Sequence, residues 1–166
     1  AVCQNDSSVY SNQDSASVNW TLTTNTGTPV YTLANSANFT YNFSQSGSYI
    51  LSAERAGYCA GEQKIITVIA KPSVPEGIDG TPVVCPNSPY TYSVQNPDPQ
   101  ATYVWSITNG TILGSNIGNQ VNVTFTGSLP PSIEVRSEVY APVACYSDPV
   151  VLPLIIQEIN AEIVGA

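Results

Sequence analysis

Residues 101–107 read Ala-Thr-Tyr-Val-Trp-Ser-Ile, in which large apolar residues alternate with small or polar ones. A period of two predicts a strand that buries one face, here with an aromatic anchor. A second stretch of this kind, Val-Asn-Trp-Thr-Leu, occupies residues 18–22. Trp20 and Trp105 are the only tryptophans of the chain. The two stretches therefore predict one structural unit that occurs twice.

The four cysteines mark the same repeat. Each tryptophan lies between two cysteines, and the spacing is similar in both cases: Cys3 and Cys59 flank Trp20, and Cys85 and Cys145 flank Trp105. We predict a first repeat at 1–72, whose lead-in strand is missing, and a second repeat at 73–157. Residues 158–166 resemble the lead-in of the second repeat and predict the start of a further one. A stiff linker with two prolines, 71–75, connects the repeats.

Composition excludes several classes of partner. Four Lys and Arg against twelve Asp and Glu give a net charge of −8, which disfavours nucleic acid and anionic lipid surfaces. No apolar run reaches the roughly 18 residues of a membrane span, and no signal peptide opens the sequence. We expect no membrane insertion and a fragment of a longer secreted protein.

An even number of cysteines, one pair in each repeat, predicts disulfides and an extracellular or cell-surface location. The chain has no histidine and no closely spaced cysteine pair, so a metal site on these cysteines is not expected. Four cysteines allow three pairings. We expect Cys3–Cys59 and Cys85–Cys145, the pairing that keeps each bridge inside its own repeat.

About seven short alternating strands in each repeat predict an all-β fold of two tandem immunoglobulin-like antiparallel β-sandwiches. The predicted core anchors are Trp20, Trp105, Phe43 and Phe125. The Asn-Gly pair at 109–110 predicts a hairpin after the second tryptophan strand.

Residues 39–53, Phe-Thr-Tyr-Asn-Phe-Ser-Gln-Ser-Gly-Ser-Tyr-Ile-Leu-Ser-Ala, resemble the late-strand motif of PKD (polycystic kidney disease) domains. Both tryptophans match that family's tryptophan. Cys-Pro-Asn-Ser at 85–88 resembles the PKD-like variants found in tandem in large Bacteroidetes surface proteins, including gliding-motility adhesins of the SprB type. The turn that follows the tryptophan strand departs from the PKD pattern in both repeats. The resemblance implies a cell-surface stalk or an adhesive repeat.

Catalytic chemistry has little support in the sequence. Without histidine, a Ser-His or Cys-His nucleophile is excluded. The carboxylate pair Glu134 and Glu138 lies on one strand face with Arg136 between them, at a spacing of about 13 Å, which is too long for glycoside cleavage. We therefore expect no enzyme and no catalytic residue.

Other sites are weaker candidates. No cofactor is expected, although Glu76 and Asp79 near the linker offer the oxygen ligands that Ca²⁺ requires. Asp-Ser-Ala at 14–16 resembles the Bacteroidetes O-glycosylation signal, which makes Ser15 a possible glycan site.

These observations predict a non-enzymatic repeat of a secreted cell-surface adhesin, a spacer or adhesive surface that serves gliding motility or attachment. Its expected partners are neighbouring repeats and a surface polysaccharide or cell-surface protein. The alternative is a carbohydrate-binding or accessory module of a secreted polysaccharide-degrading enzyme, which exposed tyrosines would serve by stacking on sugars.

Overall fold

The computed structural model describes residues 1–13, 15–58, 61–127, 129–140 and 142–157, and all regular elements in them are β-strands. The chain divides into two compact units. The first unit comprises Ala1–Lys71 and Tyr140–Cys145, and the second comprises Pro72–Val139 and Tyr146–Ala166. The expectation of an all-β fold is confirmed.

The first unit contains two sheets that bury one cluster of side chains between them. One sheet has the order β1-β7-β6-β3-β4, and the other pairs β2 with β5. Because the buried side chains alternate along β3 and β5, both sheets contribute to one core. The strands are β1 (Val2–Cys3), β2 (Ser7–Ser11), β3 (Val18–Thr24), β4 (Pro29–Ser36), β5 (Asn38–Asn42), β6 (Gly47–Glu54) and β7 (Glu62–Ile69).

The second unit repeats this plan with an additional lead-in strand, β8. One sheet has the order β12-β13-β10-β8, another pairs β14 with both β11 and β16, and β9 pairs with β17. The strands are β8 (Ile78–Asp79), β9 (Val83–Val84), β10 (Pro89–Val94), β11 (Thr102–Thr108), β12 (Gly110–Ile112), β13 (Gln120–Phe125), β14 (Ser132–Tyr140), β16 (Val150–Pro153) and β17 (Ile155–Ile156). A further strand, β15 (Ala144–Tyr146), contributes Ala144 and Cys145 to the first unit and Tyr146 to the second.

Both units close in the same way, by a parallel pairing between an early and a late strand. In the first unit β1 runs parallel to β7, with Cys3 opposite Ile69. In the second unit β9 runs parallel to β17, with Val84 opposite Ile156. The other strand pairs whose register the described residues show are antiparallel, as expected for an immunoglobulin-like sandwich.

The hairpin predicted at Asn109-Gly110 is wrong. β12 does not pair with β11 but lies on β13 in the other sheet, with Gly110 opposite Phe125. Asn109 takes a left-handed backbone, φ 56°, and its side-chain amide donates to the Pro130 carbonyl. A Cβ on Gly110 would lie 2.7 Å from the Ile107 side chain, so the glycine lets the chain cross between the sheets in a tight space.

Candidate functional site

The most distinctive covalent feature is a disulfide between Cys3 and Cys145, whose Cα atoms are 5.6 Å apart. Cys3 ends β1, and Cys145 lies in β15. Both residues are buried and both belong to the first unit, although Cys145 falls in the second repeat of the sequence. A segment of the second repeat is thus part of the first compact unit.

This bridge corrects both predicted pairings, Cys3–Cys59 and Cys85–Cys145. Cys85 is a free cysteine, and Cys59 lies outside the described residues. The prediction assumed that each bridge stays inside its own repeat. The strand pairing of the second unit shows how Cys85 and Cys145 are placed.

In the second unit, Cys85 lies near the end of β11. Two residues after Cys85, the backbone N–H of Asn87 donates to the carbonyl of Phe125. Phe125 pairs with Gly110, which follows the last residue of β11, Thr108, by two positions. Cys85 therefore belongs to the end of the sandwich at which the tryptophan strand finishes.

Cys145 is associated with the opposite end of that strand. Two residues after Cys145, the N–H of Ser147 donates to the carbonyl of Ser137. Ser137 pairs with Tyr103, the second residue of β11. The seven residues of β11 span about 20 Å, whereas a disulfide requires Cα atoms within about 7 Å. The two cysteines are thus associated with different ends of the tryptophan strand, and Cys145 is bonded to Cys3 while Cys85 is free.

The predicted Cys3–Cys59 bridge is contradicted directly, because the sulfur of Cys3 is bonded to Cys145. Cys3 lies opposite Ile69, the last residue of β7.

The observed bridge encloses almost the entire chain. Its cysteines are 142 residues apart, so the closed loop runs through both repeats. In the chain-entropy model a loop of this length stabilises the folded state by about 5 kcal/mol. Tension applied at the two ends of the chain passes through the sulfur–sulfur bond, and only the short segments outside the loop can extend.

The predicted core anchors are all buried. Trp20 is 5% exposed and its indole N–H donates to the Ser36 carbonyl, whereas Trp105 is 1% exposed and donates to the Gly118 carbonyl. These hydrogen bonds satisfy the single polar atom of each ring. The remaining anchors have no exposed surface: Phe43 and Phe125.

A cleft of about 360 Å³ opens beside Tyr10 in the first unit. Its lining includes Tyr10 and Trp20 together with three polar residues at the start of β7, Glu62, Gln63 and Lys64. The Lys64 ammonium lies 5.6 Å from the centre of the Tyr10 ring. Burial raises the pKa of Tyr10, and a hydrogen bond with the Ser8 side chain partly offsets this shift. Aromatic surface beside amides and a carboxylate is suited to a neutral polar ligand such as a sugar.

The counterpart of this tyrosine in the second unit is Tyr92, which is fully buried. Its hydroxyl donates to the Thr81 carbonyl at 2.8 Å. Burial, together with the nearby Tyr90, raises the pKa of Tyr92 to about 12. The segment that covers the ring contains Gly80, where a Cβ would meet the ring at 2.2 Å. The alternation of the strands does not predict this close approach, for which the glycine before the Thr-Pro-Val-Val-Cys run is the available signal in the sequence.

Each candidate calcium ligand accepts a hydrogen bond from a side-chain amide. The Glu76 carboxylate accepts a hydrogen bond from the Asn96 amide, and the Asp79 carboxylate accepts one from the Gln95 amide. Within the described part of the chain, no three Cys, Asp or Glu side chains converge on a possible metal position. Calcium binding stays a prediction.

The carboxylates considered for catalysis belong to an ordinary strand face. Glu134 forms an ion pair with Arg136 at 2.9 Å, and the Arg136 guanidinium also lies over the Tyr146 ring. Glu134 pairs with Ser106, and Glu138 pairs with Thr102, so the two carboxylates stand at separate positions along β14.

Ser15 lies in an exposed turn. Its backbone is left-handed, φ 54°, and its N–H donates to the Asn12 carbonyl. The Asp14 of the glycosylation signal lies outside the described residues, and glycosylation stays a prediction. No helix in the described ranges is both long and apolar enough to cross a membrane.

Comparison with protein families gives one match, in which residues 71–141 fit the model of a PKD-like domain. The match covers most of the second unit and is consistent with the resemblance seen in the sequence. No curated protein matches the chain.

Solved structures with a similar arrangement of strands include the fibronectin(III)-like modules of Clostridium thermocellum CbhA, with 10% identity, 99% of this chain and 94% of that chain covered, and a TM-score of 0.49. Murine CEACAM1b has 12% identity, coverage of 94% and 95%, and a TM-score of 0.34. SGBP-B of the Bacteroides ovatus mixed-linkage glucan utilization locus, in complex with a mixed-linkage heptasaccharide, has 14% identity, coverage of 95% and 42%, and a TM-score of 0.31. These three TM-scores are below 0.5, and the fold rests on the strand pairing alone.

Proposed function

We propose that this chain is a non-enzymatic segment of a secreted cell-surface adhesin, in which two PKD-like domains in tandem serve as a load-bearing spacer. The observation that carries the proposal is the Cys3–Cys145 bridge, which closes a loop through both repeats. A bridge in this position protects both domains from extension when the chain is pulled from its ends.

The strand order supports the same role. Each unit closes by a parallel pair, β1 with β7 and β9 with β17. When parallel strands at the two ends of a domain are pulled apart along their axis, all their hydrogen bonds bear load together and do not open one at a time. The units therefore resist tension even after the bridge is reduced, and the bridge adds a covalent limit.

The environment of such a spacer is extracellular. A disulfide persists in an oxidising compartment, and the surface carries few charges, most of them acidic. The finer assignment, to Bacteroidetes adhesins that serve gliding motility or attachment, rests on the resemblance of residues 85–88 and the repeated tryptophan strands.

Constant-force stretching of single molecules tests the proposal. We expect the oxidised chain to extend much less than the Cys3→Ser/Cys145→Ser variant under the same load, because the bridge carries the force across residues 3–145. Equal extension of both proteins under the same load would refute a load-bearing bridge.

A second candidate function is carbohydrate binding in the cleft beside Tyr10, which the combination of an aromatic ring and polar side chains favours. A glycan array tests it directly. Saturable binding that Tyr10→Ala abolishes would support a carbohydrate-binding module. Tyr58→Ala is the matched control, because Tyr58 is 68% exposed and does not line the cleft. Binding that both variants reduce equally would exclude the cleft as the site.

A further inference from the structure

We propose that the open edge of β2, together with the cleft beside Tyr10, binds an extended peptide with the chemistry of residues 77–81, Gly-Ile-Asp-Gly-Thr. In this stretch an apolar residue and a carboxylate precede a glycine. The partner is a polypeptide that adds a strand to the sheet of the first unit, and not a sugar. The inference goes beyond the load-bearing role proposed above and does not depend on it.

The strand pair β2–β5 of the first unit matches the pair β10–β13 of the second unit, residue for residue. Tyr10 lies opposite Phe39, and Tyr92 lies opposite Val121. The next backbone N–H along each strand also makes the same bond: Asn12 to the Ala37 carbonyl at 3.2 Å, and Val94 to the Asn119 carbonyl at 2.9 Å. The two tyrosines therefore hold the same position in the fold.

In the second unit, the edge of β10 that faces away from β13 is occupied by β8. Ser93 of β10 lies opposite Asp79 of β8. The backbone N–H of Gln95 donates to the Gly77 carbonyl at 3.0 Å, and the Gln95 side-chain amide donates to the Asp79 carboxylate at 2.7 Å. The edge thus holds the segment 77–81 by both backbone and side-chain bonds.

The rest of this segment covers Tyr92. Gly80 lies so close to the ring that a Cβ there would clash with it, and the Tyr92 hydroxyl donates to the Thr81 carbonyl. Ile78 packs against the core cluster that contains Trp105. Because β8 also lies beside β16, the segment fills the groove between β10 and β16.

The first unit presents the same edge without a cover. Tyr-Ser-Val-Gln at 92–95 recurs as Tyr-Ser-Asn-Gln at 10–13, so the tyrosine and the glutamine that bind the segment are retained. All four residues of 10–13 line the cleft. Within the described ranges β2 pairs with β5 alone, and no backbone bond from Gln13 corresponds to the one from Gln95.

The cleft also has the walls of that groove. The start of β7 takes the place of β16, because Glu62 lies opposite Ala53 of β6 as Val150 lies opposite Val135 of β14. Trp20 lies in the lining, as Trp105 lies in the cluster on which Ile78 packs. An unpaired strand edge beside apolar surface is the arrangement that binds extended peptides by strand addition.

The experiment titrates the complete, oxidised chain into a fluorescein-labelled peptide of residues 74–82 and follows the fluorescence anisotropy. We expect saturable binding of one peptide to each chain. The Gly80→Ala peptide should bind about tenfold more weakly, because its Cβ meets the Tyr10 ring. Equal affinity for the two peptides would overturn the proposal.

An exchange of charge identifies the edge. Gln13→Glu places a carboxylate against the aspartate of the peptide and should weaken binding by about tenfold, whereas the Asp79→Asn peptide should restore it. Gln63→Glu is the matched control on the opposite wall, at the counterpart of Val151, which stays 52% exposed with β8 in place. It should keep the wild-type affinity, and an equal loss from both variants would overturn the edge as the site.

A second measurement removes the cost of association. A copy of residues 73–82 fused before Ala1 stands in the register that the same residues have before Val83. We expect the exchange of the Gln13 backbone N–H, followed by NMR, to slow by about tenfold or more, because it gains an acceptor as Gln95 has in Gly77. Unchanged exchange would overturn the proposal, as would a cleft that binds glycans but neither the peptide nor the fused segment.

Discussion

The two units use the same interior and differ in what covers two of their positions. Trp20 and Trp105 are buried alike, and each donates its indole N–H to a backbone carbonyl. The tyrosines do not match: Tyr92 is sealed beneath the lead-in segment, whereas Tyr10 borders an open cleft. Each unit thus buries its own tryptophan. The exposure of the tyrosine differs between the units because the segment that contains Gly80 covers Tyr92.

The cysteines also differ between two equivalent positions. Cys3 and Cys85 occupy equivalent loops, but only Cys3 has met a partner, and that partner comes from the other repeat in the sequence. Each unit therefore has its own buried cluster, whereas the one described disulfide joins cysteines from the two repeats of the sequence.

The largest effect is expected from the shared interior. Trp105→Ala should destabilise the second unit by about 3–5 kcal/mol, because it removes a buried aromatic side chain and leaves a cavity. Trp20, the remaining tryptophan, then reports on the first unit by its fluorescence during urea unfolding. We expect the urea midpoint that Trp20 reports to equal that of the wild type. An equal loss of stability in the two units would show that their cores are not independent.

Removal of the bridge should have the next largest effect. Cys3→Ser/Cys145→Ser releases the loop through both repeats and should lower the free energy of unfolding by about 2–5 kcal/mol. Cys85→Ser is the control, because Cys85 is free, and it should leave the urea midpoint of the monomer unchanged. Identical midpoints for the two variants would contradict the observed pairing.

Substitution of Gly80 tests whether the segment that contains it packs closely on the Tyr92 ring. An alanine Cβ there would lie 2.2 Å from the ring on a backbone with φ 154°, so Gly80→Ala should cost about 1–3 kcal/mol in the second unit. Gly114→Ala is the matched control, with φ 102° and open space around the new methyl group. Thermal unfolding should show the smaller loss for Gly114→Ala, and the reverse order would exclude the tight cover.

The smallest effect concerns alkaline pH. Folding raises the pKa of Tyr92 from 10.0 to about 12, so it favours the neutral phenol. The resulting stability is complete below pH 10 and is lost as the pH rises through 12, with about 1 kcal/mol gone at pH 11. Urea unfolding of the second unit at pH 9 and pH 11 measures this slope.

Tyr92→Phe supplies the control for the alkaline slope. It should remove the slope at a cost of about 1 kcal/mol at neutral pH, because the hydrogen bond to Thr81 is lost. An unchanged slope in this variant would assign the alkaline loss to another group.

Much of this fold is predictable from the sequence because burial imposes a period of two. The alternation around Trp105 predicts β11, which is observed at Thr102–Thr108. The disulfides were mispaired for a physical reason: spacing along the chain shows which cysteines recur but not at which end of a sandwich each one lies. The predicted hairpin at Asn109 is wrong because an asparagine with a left-handed backbone fits a crossing between sheets as well as a tight turn.

The most direct test of the central claim is the contour length released when single molecules are stretched from their ends. With Cys3 bonded to Cys145, only residues 1–2 and 146–166 lie outside the loop, so the oxidised chain should release about 80 Å and the reduced chain about 580 Å. Bridges confined to single repeats would instead free residues 60–84 as well and release about 170 Å in the oxidised state. A release of about 80 Å supports the pairing between repeats, and a release of about 170 Å contradicts it.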